Sequence, residues 1–557
     1  MKALSTPDYI VFLCYFVLIV SYGLWIYYRK KKEATTSNDY FLAEGSLTWW
    51  AIGASLIASN ISAEQFIGMS GSGFKLGLAI ATYEWMAAIT LIIVAVFFIP
   101  VYLKNKIFTM PQFLKQRYNG TVAMIMAVFW LALYIVVNLT AILYLGALAI
   151  SSISGFDITL CMAFLGIFAI FITLGGMKVI GYTDVVQVFF LILGGLVTTY
   201  LAVNLVADEF GGSGVLDGFA FMGEKAAGHF DMIFTKDNPN YIDLPGISVL
   251  IGGMLITNLY YWGCNQYITQ RALGADLKTA RRGILFAAFL KLLMPLIVVI
   301  PGIAAFVLYQ QGHFQTDMLQ NGEMNPDRAY PVLLNLLPSG LKGVAFAALT
   351  AAIVASLAGK ANSIATIFTL DIYKQKIDPN ASEKKQVNVG KITVILSIIA
   401  AIIIAPFLGI DKKGGFQFIQ EFSGFLSPGV FAMFLLGFFW KKTTANAAMY
   451  SMIGGFVFSV ILKFMPEFIN LQPLYEIGFA VPHPETGVYE IPFLDRMGIV
   501  FVLCVVGMFY ISRKETGKGD DLNGLEVDTS MFRVDRSFMI GTIILIALVA
   551  ALYAYFW

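Results

Sequence analysis

Five polar side chains that could bind a ligand lie within stretches apolar enough to cross a lipid bilayer: Gln65, Glu84, Asn258, Lys291 and Gln420. A charged group at mid-bilayer costs roughly a few kcal/mol at least, so such a residue is a functional candidate by default. The set holds one acid, one base and three amides. A polyhydroxyl ligand needs that mixture, because each hydroxyl both donates and accepts hydrogen bonds. Four nearby aromatic residues could stack on the apolar face of a sugar ring: Tyr83, Tyr261, Trp262 and Phe416.

The same residues also fit purely structural roles. Glu84 and Lys291 could form a buried ion pair, which lowers the cost of keeping both charges in a membrane. Gln420 could form a hydrogen bond between helices, and the aromatic residues could simply pack. Glu64, next to Gln65, fits either a carboxylate that caps broken backbone or a substrate contact. The residue types alone leave these alternatives open.

The composition indicates the elements that must position these residues. Of the 557 residues, 58% are hydrophobic and 13% are charged, and the mean hydropathy is +0.76, which is typical of an integral membrane protein. The apolar runs are long enough to cross a layer of roughly 30 Å as helices, whereas barrel strands would alternate polar and apolar residues. We predict an all-α membrane protein with about fourteen spans, numbered in chain order: 8–28, 47–70, 77–103, 121–150, 157–174, 182–206, 246–267, 284–309, 338–370, 388–408, 416–439, 444–465, 495–512 and 536–557.

The distribution of charge predicts the orientation of the chain. Lys and Arg concentrate in the alternate loops that include residues 29–32, 104–117, 271–282 and 374–391, whereas the opposite set includes the acidic loops 207–245 and 466–494. The positive-inside rule therefore places the N-terminus outside, with an even number of spans. We expect a multi-pass protein of a plasma membrane, and the absence of a disulfide framework suits a bacterial inner membrane.

Several other classes of function find no support in the sequence. All four Cys fall inside predicted spans, and the three His are far apart, which argues against a His-based metal centre. We find no phosphate-binding loop, no basic patch suited to nucleic acid and no pairing of a nucleophile with a base. The chain is therefore expected to be a non-enzyme without an organic cofactor, and span 1 is expected to be a retained helix.

Spans 2 and 7 are both polar and interrupted by small residues. Span 2 runs into Ser70-Gly71-Ser72-Gly73, where a regular helix is hard to sustain, and span 7 carries Asn258, Gly263 and Asn265. Two broken helices at corresponding positions indicate two inverted five-helix repeats, at 47–206 and 246–439, with a binding site near the bilayer midplane. An extra N-terminal helix with its basic loop (1–46) and three C-terminal helices (440–557) complete the predicted organisation.

Long strings of the sequence resemble one known family. They are SLTWWAIGASLIASNISAEQFIGMSGSG, YEWM, GGMKVIGYTDVVQ (175–187), NLYYWGCNQYITQRALGA, FAAFLKLL and FQFIQEFSGFLSPGVFA. The chain is similar over nearly its whole length to the sodium/solute symporters, specifically the sodium/glucose-galactose cotransporter group and its bacterial sodium/galactose members. This resemblance implies a LeuT-type core and the sodium-coupled symport of galactose or glucose into the cell by alternating access.

The resemblance also implies roles for individual residues. The family's sugar ligands correspond to Gln65, Glu84, Asn258, Lys291 and Gln420. Its outer gate corresponds to Met69, Tyr83 and Phe416, and its inner gate corresponds to Tyr261 backed by Trp262. Its sodium site corresponds to carbonyls of the broken span 2 and to positions in span 9: Ala58, Ile61, Ala352, Ala355 and Ser356.

The chain departs from the family pattern in two places. Ala355 replaces a usual Ser, so one hydroxyl ligand is missing. Members with a second sodium ion also use a hydroxyl at position 352 and the carboxylate that matches Asp184, so we expect one sodium ion per sugar. Asp184 is alternatively a cap at the start of a helix. Lys360 lies one turn beyond Ser356, and its ammonium could weaken or replace sodium.

Two rival functions and other substrates remain open at this point. A proton-driven symporter could use Glu84, Asp184 or Lys360, and a sensor or leak pathway of the same fold would bind sugar without accumulating it. Inositol, sialic acid or an amino acid could replace the hexose. A homodimer is compatible with the sequence.

Overall fold

The computed structural model describes residues 4–30, 47–320, 322–407, 415–484, 486–516 and 523–557. Most of the predicted N-terminal basic loop, at 31–46, lies outside these residues. Almost all regular structure in the described part of the chain is helical.

The helices follow one another closely along the chain. The α-helices are Thr6–Lys30, Trp49–Asn60, Ser70–Leu76, Thr82–Ile93, Ile99–Lys104, Met110–Arg117, Gly120–Ala132, Thr140–Ser154, Ile158–Thr173, Gly176–Glu209, Gly214–Lys225, Ser248–Ile251, Gly253–Gly263, Gln266–Leu273, Leu277–Gln310, Ala329–Leu334, Leu341–Thr366, Glu383–Ile404, Gly415–Ser423, Ser427–Phe439, Ala445–Met449, Gly455–Phe464, Gln472–Glu476, Phe493–Glu515 and Arg536–Tyr555.

Shorter irregular helices and two small hairpins complete the described structure. Segments with π-helical bonding are Glu64–Met69, Val94–Phe98, Leu133–Leu139, Ile367–Ile377 and Tyr450–Gly454. Turns of 3-10 helix are Gly77–Ala81, Ala227–His229, Pro239–Ile242, Pro326–Arg328, Ala405–Phe407, Met465–Glu467 and Thr529–Phe532. The antiparallel strand pairs are Leu319–Gln320 with Glu323–Met324, and Val481–Pro482 with Tyr489–Glu490.

Ten helices in the described residues are long and apolar enough to cross a membrane, or eleven if one bent pair counts as a single span. That pair is Gly415–Ser423 with Ser427–Phe439, bent by 47°. The second half of span 2 is continuous with span 3 in the apolar stretch Glu64–Lys104, span 7 consists of short pieces, and the helix of span 5 has only 16 residues. The count of fourteen and the boundaries of the repeats therefore stay predictions.

The chain forms two compact units. The first consists of Met1–Ala81, Leu131–Asp231 and Leu290–Ile419. In it, the helix Gly176–Glu209 packs against Leu341–Thr366 and against Trp49–Asn60. Leu341–Thr366 is buried along almost its whole length, so its polar side chains depend on partners inside the protein.

The second unit consists of Thr82–Trp130, Met232–Phe289 and Gln420–Trp557. At its centre the helix Gly253–Gly263 packs against Thr82–Ile93, Ser427–Phe439 and Phe493–Glu515. Gly253 permits this packing, because a Cβ at that position would lie 2.1 Å from the carbonyl oxygen of Leu494.

Candidate functional site

Span 2 is broken, as predicted, but at a different place. The helix Trp49–Asn60 stops at Ile61, whose backbone is extended (φ −80°, ψ 115°), and a π-helix begins at Glu64. The sequence predicted the break at residues 70–73, and that prediction is wrong, because these residues lie in the helix Ser70–Leu76.

The glycines at positions 71 and 73 have a packing role instead. A Cβ on Gly71 would lie 2.6 Å from the carboxylate of Asp327, and one on Gly73 would lie 2.8 Å from the carbonyl of Val299. Both glycines therefore let the second half of span 2 pack closely against its neighbours, which is why a Ser/Gly cluster does not mark the break.

A capping box restarts the helix after the break. The backbone N–H of Ser62 donates to Oε1 of Gln65 at 3.0 Å, and the N–H of Glu64 donates to Oγ of Ser62 at 3.2 Å. This reciprocal pattern satisfies donors that a helix start leaves unpaired. Gln65, a predicted sugar ligand, thus uses one lone pair of its amide oxygen locally, and its NH₂ group takes no part in the capping box.

The predicted sodium ligands belong to two segments of the first unit that one hydrogen bond joins. Ser356 Oγ donates to the carbonyl of Ser59, in the last turn before the break, at 3.2 Å. The carbonyls of such a last turn have no continuing helix to bond, and Ala352, Ala355 and Ser356 share one face of the helix that meets them. All five predicted ligands are buried. Carbonyl and hydroxyl oxygens are suitable ligands for a hard cation, so these residues fit sodium.

Lys360 forms an ion pair beside this contact. Its Nζ lies 2.9 Å from Oε1 of Glu64, and the two side chains are 1% and 6% exposed. Glu64 therefore pairs with a charge from span 9.

Two further buried polar contacts join span 2 to other helices of the first unit. Lys291 donates to the amide oxygen of Asn60, at the end of the helix that precedes the break. Ser55 donates to the carboxylate of Asp184 at 2.6 Å. Asp184 lies well inside the helix Gly176–Glu209, so the alternative that it caps a helix start is wrong. The predicted sugar ligand Lys291 and the predicted ion-pathway residue Asp184 both contact span 2.

Phe416, a predicted residue of the outer gate, also packs on span 2. A Cβ on Gly68 would lie 2.7 Å from the backbone nitrogen of Phe416, and Met69 is fully buried next to Gly68 in sequence. The preceding N–H, of Gly415, donates to the carboxylate of Asp327 at 2.7 Å. Asp327 lies in the 3-10 turn Pro326–Arg328, outside the spans, and its burial raises the pKa of its carboxyl to about 7.

The remaining predicted ligands and gates belong to the second unit. Glu84 and Tyr83 are buried in the helix Thr82–Ile93, and Asn258 is buried in Gly253–Gly263, where its Nδ2 donates to the carbonyl of Met254 at 3.1 Å. The rings of Tyr261 and Trp262 meet edge to face with centroids 5.1 Å apart.

Span 7 is interrupted, as predicted, at Gly252 and again at Cys264 and Asn265. Gln420 is half-buried. Since Gln65 and Lys291 belong to one unit and Glu84, Asn258 and Gln420 to the other, the convergence of all five on one ligand stays a prediction.

Reasoning from the sequence missed several buried charges in the second unit. Arg117 is fully buried and donates to the carbonyls of Gly437, Trp440 and Lys441 at 2.8 to 3.1 Å, so it caps the end of Ser427–Phe439. In the sequence Arg117 is one of many basic residues between spans, and such residues are most simply explained as determinants of membrane orientation. Burial alone distinguishes it, and no local signal predicts that burial.

Glu421 is a second example. It pairs with Arg496 at 3.1 Å and with Lys463 at 2.5 Å. The sequence marks Glu421 as polar within a span, but its partners come from two later spans and cannot be inferred from spacing.

Comparison with known proteins agrees with this architecture. Residues 40–455 match the sodium:solute symporter family, and the chain belongs to that family. A solved structure titled as the substrate-bound outward-open state of a Na⁺-coupled sialic acid symporter superposes with a TM-score of 0.74 at 22% identity, covering 92% of this chain and 98% of that one. The inward-facing transporter Mhp1 superposes with a TM-score of 0.52 at 14% identity, covering 85% of this chain and 93% of that one. These similarities confirm the predicted LeuT-type, all-α fold.

Two curated relatives are more informative about function. The sodium/glucose cotransporter of Vibrio parahaemolyticus is 46% identical over 565 aligned residues, covering 100% of this chain and 99% of the relative. The human sodium/myo-inositol cotransporter 2 is 33% identical, covering 85% of this chain and 72% of the relative. The chain is therefore a multi-pass, sodium-coupled solute symporter, and its relatives are transporters rather than enzymes.

Proposed function

We propose that this protein carries galactose or glucose into the cell together with sodium, by alternating access. The observation that carries the proposal is the 46% identity, over the full length of both chains, with a protein described as a sodium/glucose cotransporter. The basic loops and the bacterial relative support a place in a bacterial inner membrane with the N-terminus outside.

In this proposal the sugar binds among the five predicted polar ligands. The NH₂ group of Gln65 donates to a sugar hydroxyl while its amide oxygen stays in the capping box. Lys291, which donates to Asn60, supplies ammonium protons, and Glu84 accepts. Asn258 and Gln420 supply amides, and the Tyr261 ring closes the inner side with Trp262 behind it. A site whose buried groups each need a hydroxyl rejects analogues that lack one.

Sodium supplies the driving force when it crosses with the sugar. One positive charge moving across about 100 mV releases about 2.3 kcal/mol, and a tenfold sodium gradient adds about 1.4 kcal/mol. Together they permit roughly 500-fold accumulation of sugar. Using this energy requires a coupling free energy between the two sites. Span 2 provides the physical link, since it contributes Ser59 and its neighbours to the ion side and Gln65 to the sugar side.

The sugar site is tested by substitution in span 2 with a matched control. Gln65→Ala removes the amide donor and the bond that the amide oxygen accepts from the N–H of Ser62. Ser62→Ala removes only the cap bond that its Oγ accepts from the N–H of Glu64. We expect Gln65→Ala and Gln420→Ala to abolish uptake of labelled galactose into proteoliposomes, while Ser62→Ala keeps the parental KM for the sugar. Undiminished transport in both glutamine variants, or an equal loss in Ser62→Ala, would refute the assignment.

A second substrate is favoured by a specific observation. The relative at 33% identity is described as a sodium/myo-inositol cotransporter, and inositol is also a ring of hydroxyls. Competition against labelled galactose distinguishes the two. The hexose proposal predicts that unlabelled glucose or galactose displaces the label at lower concentration than myo-inositol, and the reverse order would replace hexose with inositol.

A further inference from the structure

Two polar contacts join the broken span 2 to the helix Leu341–Thr366 on the two sides of the break. Before the break, the carbonyl of Ser59 accepts from Ser356. After the break, the carboxylate of Glu64 pairs with Lys360. The break therefore lies between one neutral contact and one charged contact to the same helix.

The charged contact lies close to the oxygen atoms assigned to sodium. Ser356 and Lys360 are four residues apart on one α-helix, which places them on the same face about 6 Å apart along the axis. The ammonium of Lys360 and the sodium ion of the proposed function are thus neighbours along one side of span 2. Other charges of the same unit have separate contacts there, since Lys291 donates to Asn60 and Asp184 accepts from Ser55.

Glu64 would behave differently without Lys360. A carboxylate this deeply buried is strongly unfavourable without a compensating charge, so it must be paired or neutralised. Carboxylate oxygens are also good ligands for hard metal cations. A lysine ammonium is a compact point charge with three donors, and at 2.9 Å it compensates Glu64 without any ion from solution.

We propose that Lys360 is a resident counter-cation that prevents Glu64 from binding a second sodium ion and so fixes the coupling at one sodium ion per sugar. This inference rests on the sodium/hexose symport proposed above and adds a residue that determines its stoichiometry. Lys360 acts on the ion through Glu64, so it is a positioning residue and not a ligand.

The first test removes the ammonium and keeps an unbranched, apolar side chain. In Lys360→Met the carboxylate of Glu64 loses its partner and can take a second sodium ion. We measure the fluxes of radioactive sodium and labelled galactose in the same proteoliposomes. The expected ratio is one sodium per sugar for the parent and two for Lys360→Met, whose uptake also becomes sigmoidal in sodium concentration.

Two further variants serve as matched controls. Lys360→Arg keeps a positive charge beside Glu64 and is expected to keep the ratio of one. The double variant Glu64→Gln with Lys360→Met removes both charges and is expected to return the ratio from two to one. A ratio of one in Lys360→Met, or of two in the double variant, would overturn the proposal.

The second test works in the opposite direction and needs no transport. Glu64→Gln removes the carboxylate that faces the ammonium of Lys360, so that the positive charge near the sodium site is less well neutralised. We expect the sodium concentration that half-saturates the thermal stabilisation of the purified protein to rise about tenfold. Unchanged sodium dependence in Glu64→Gln would contradict the proposal even if Lys360→Met failed to fold.

The two proposals fail in different ways. Absence of sodium-dependent galactose flux in the parent would refute the proposed function. A parent that transports one sodium per sugar, with variants that keep both this ratio and the parental sodium dependence, would refute only the role of Lys360.

Discussion

Ser356→Ala is expected to weaken sodium binding by about 10- to 100-fold. Of the other four predicted ligands, Ala58, Ile61 and Ala352 could offer only backbone carbonyls, and Ala355 lacks the hydroxyl that is usual at its position. Ser356 therefore supplies the one side-chain oxygen of the predicted set. Its hydroxyl oxygen can coordinate the ion through a lone pair while the hydroxyl donates its hydrogen bond to the carbonyl of Ser59, 3.2 Å away. A hydrogen-bonding group that acts on a charge is worth about 1.5 to 3 kcal/mol, which corresponds to this range of affinity.

The effect without sodium is expected to be much smaller. A neutral hydrogen bond contributes only about 1 kcal/mol to the free energy of unfolding, so Ser356→Ala should fold and reach the membrane. Thr350→Val is the matched control, because Thr350 is buried in the same helix and its hydroxyl donates only to the carbonyl of Phe346, one turn away, at 2.9 Å.

The assay is a sodium titration of galactose uptake, paired with a sodium titration of the melting temperature. Ser356→Ala should shift the half-saturating sodium concentration in both titrations, and Thr350→Val should shift neither. Ala355→Ser, which adds the hydroxyl that the family usually has, should tighten sodium binding. A value for Ser356→Ala within about twofold of the parent, well under the 1.4 kcal/mol of a tenfold change, would refute the placement of sodium at this contact.

Three other substitutions test the packing around the site, each read from the melting temperature of the purified protein. Burial raises the pKa of Asp327 to about 7, so the folded state binds a proton that the unfolded state has lost, and the stability of the parent falls as pH rises from about 4 to 7. Asp327→Asn should make the melting temperature depend less on pH over this range. A pH dependence equal to that of the parent would count against this. Gly302→Ala should lower the free energy of unfolding by about 1 to 3 kcal/mol, because the new Cβ would lie 2.1 Å from the carbonyl oxygen of Ser70. Gly223→Ala is the control and should not lower it, because the space around Gly223 is open. Equal effects of the two substitutions would contradict this reasoning. Arg117→Ala should lower the free energy of unfolding by about 2 to 4 kcal/mol through the loss of three hydrogen bonds from its guanidinium, although the carbonyl of Trp440 keeps Thr443 as a donor. A parental melting temperature would contradict this.

Hydropathy and resemblance predict much of this fold because both signals are local. A run of about 20 apolar residues must be helical in a bilayer whatever surrounds it, so each predicted span coincides with a helix or with pieces of one. The position of the break in span 2 was not predictable in this way. Gly71 and Gly73 have low helix propensity and so suggest a break. In the fold they instead allow span 2 to pack closely against Asp327 and Val299, which are far away in sequence.

The candidate site shows the same limit. The sequence singles out Glu64 and Lys360 as unusual polar residues, but their separation of 296 positions hides the ion pair that joins them. Gln65 is recognisable as a predicted ligand, and the motif Ser62-x-x-Gln65 could also have been recognised as a capping box. Helix-start signals inside an apolar span are therefore a useful guide to where a transmembrane helix is broken.

The most direct test of the central claim is the paired measurement of sodium and galactose entry into the same sealed proteoliposomes, under an inward sodium gradient with the membrane potential negative inside. The account predicts that galactose accumulates above its external concentration, that about one sodium ion enters with each sugar, and that collapse of the sodium gradient releases the accumulated sugar. Accumulation that persists in potassium with only a proton gradient, or sodium entry that does not respond to galactose, would contradict it.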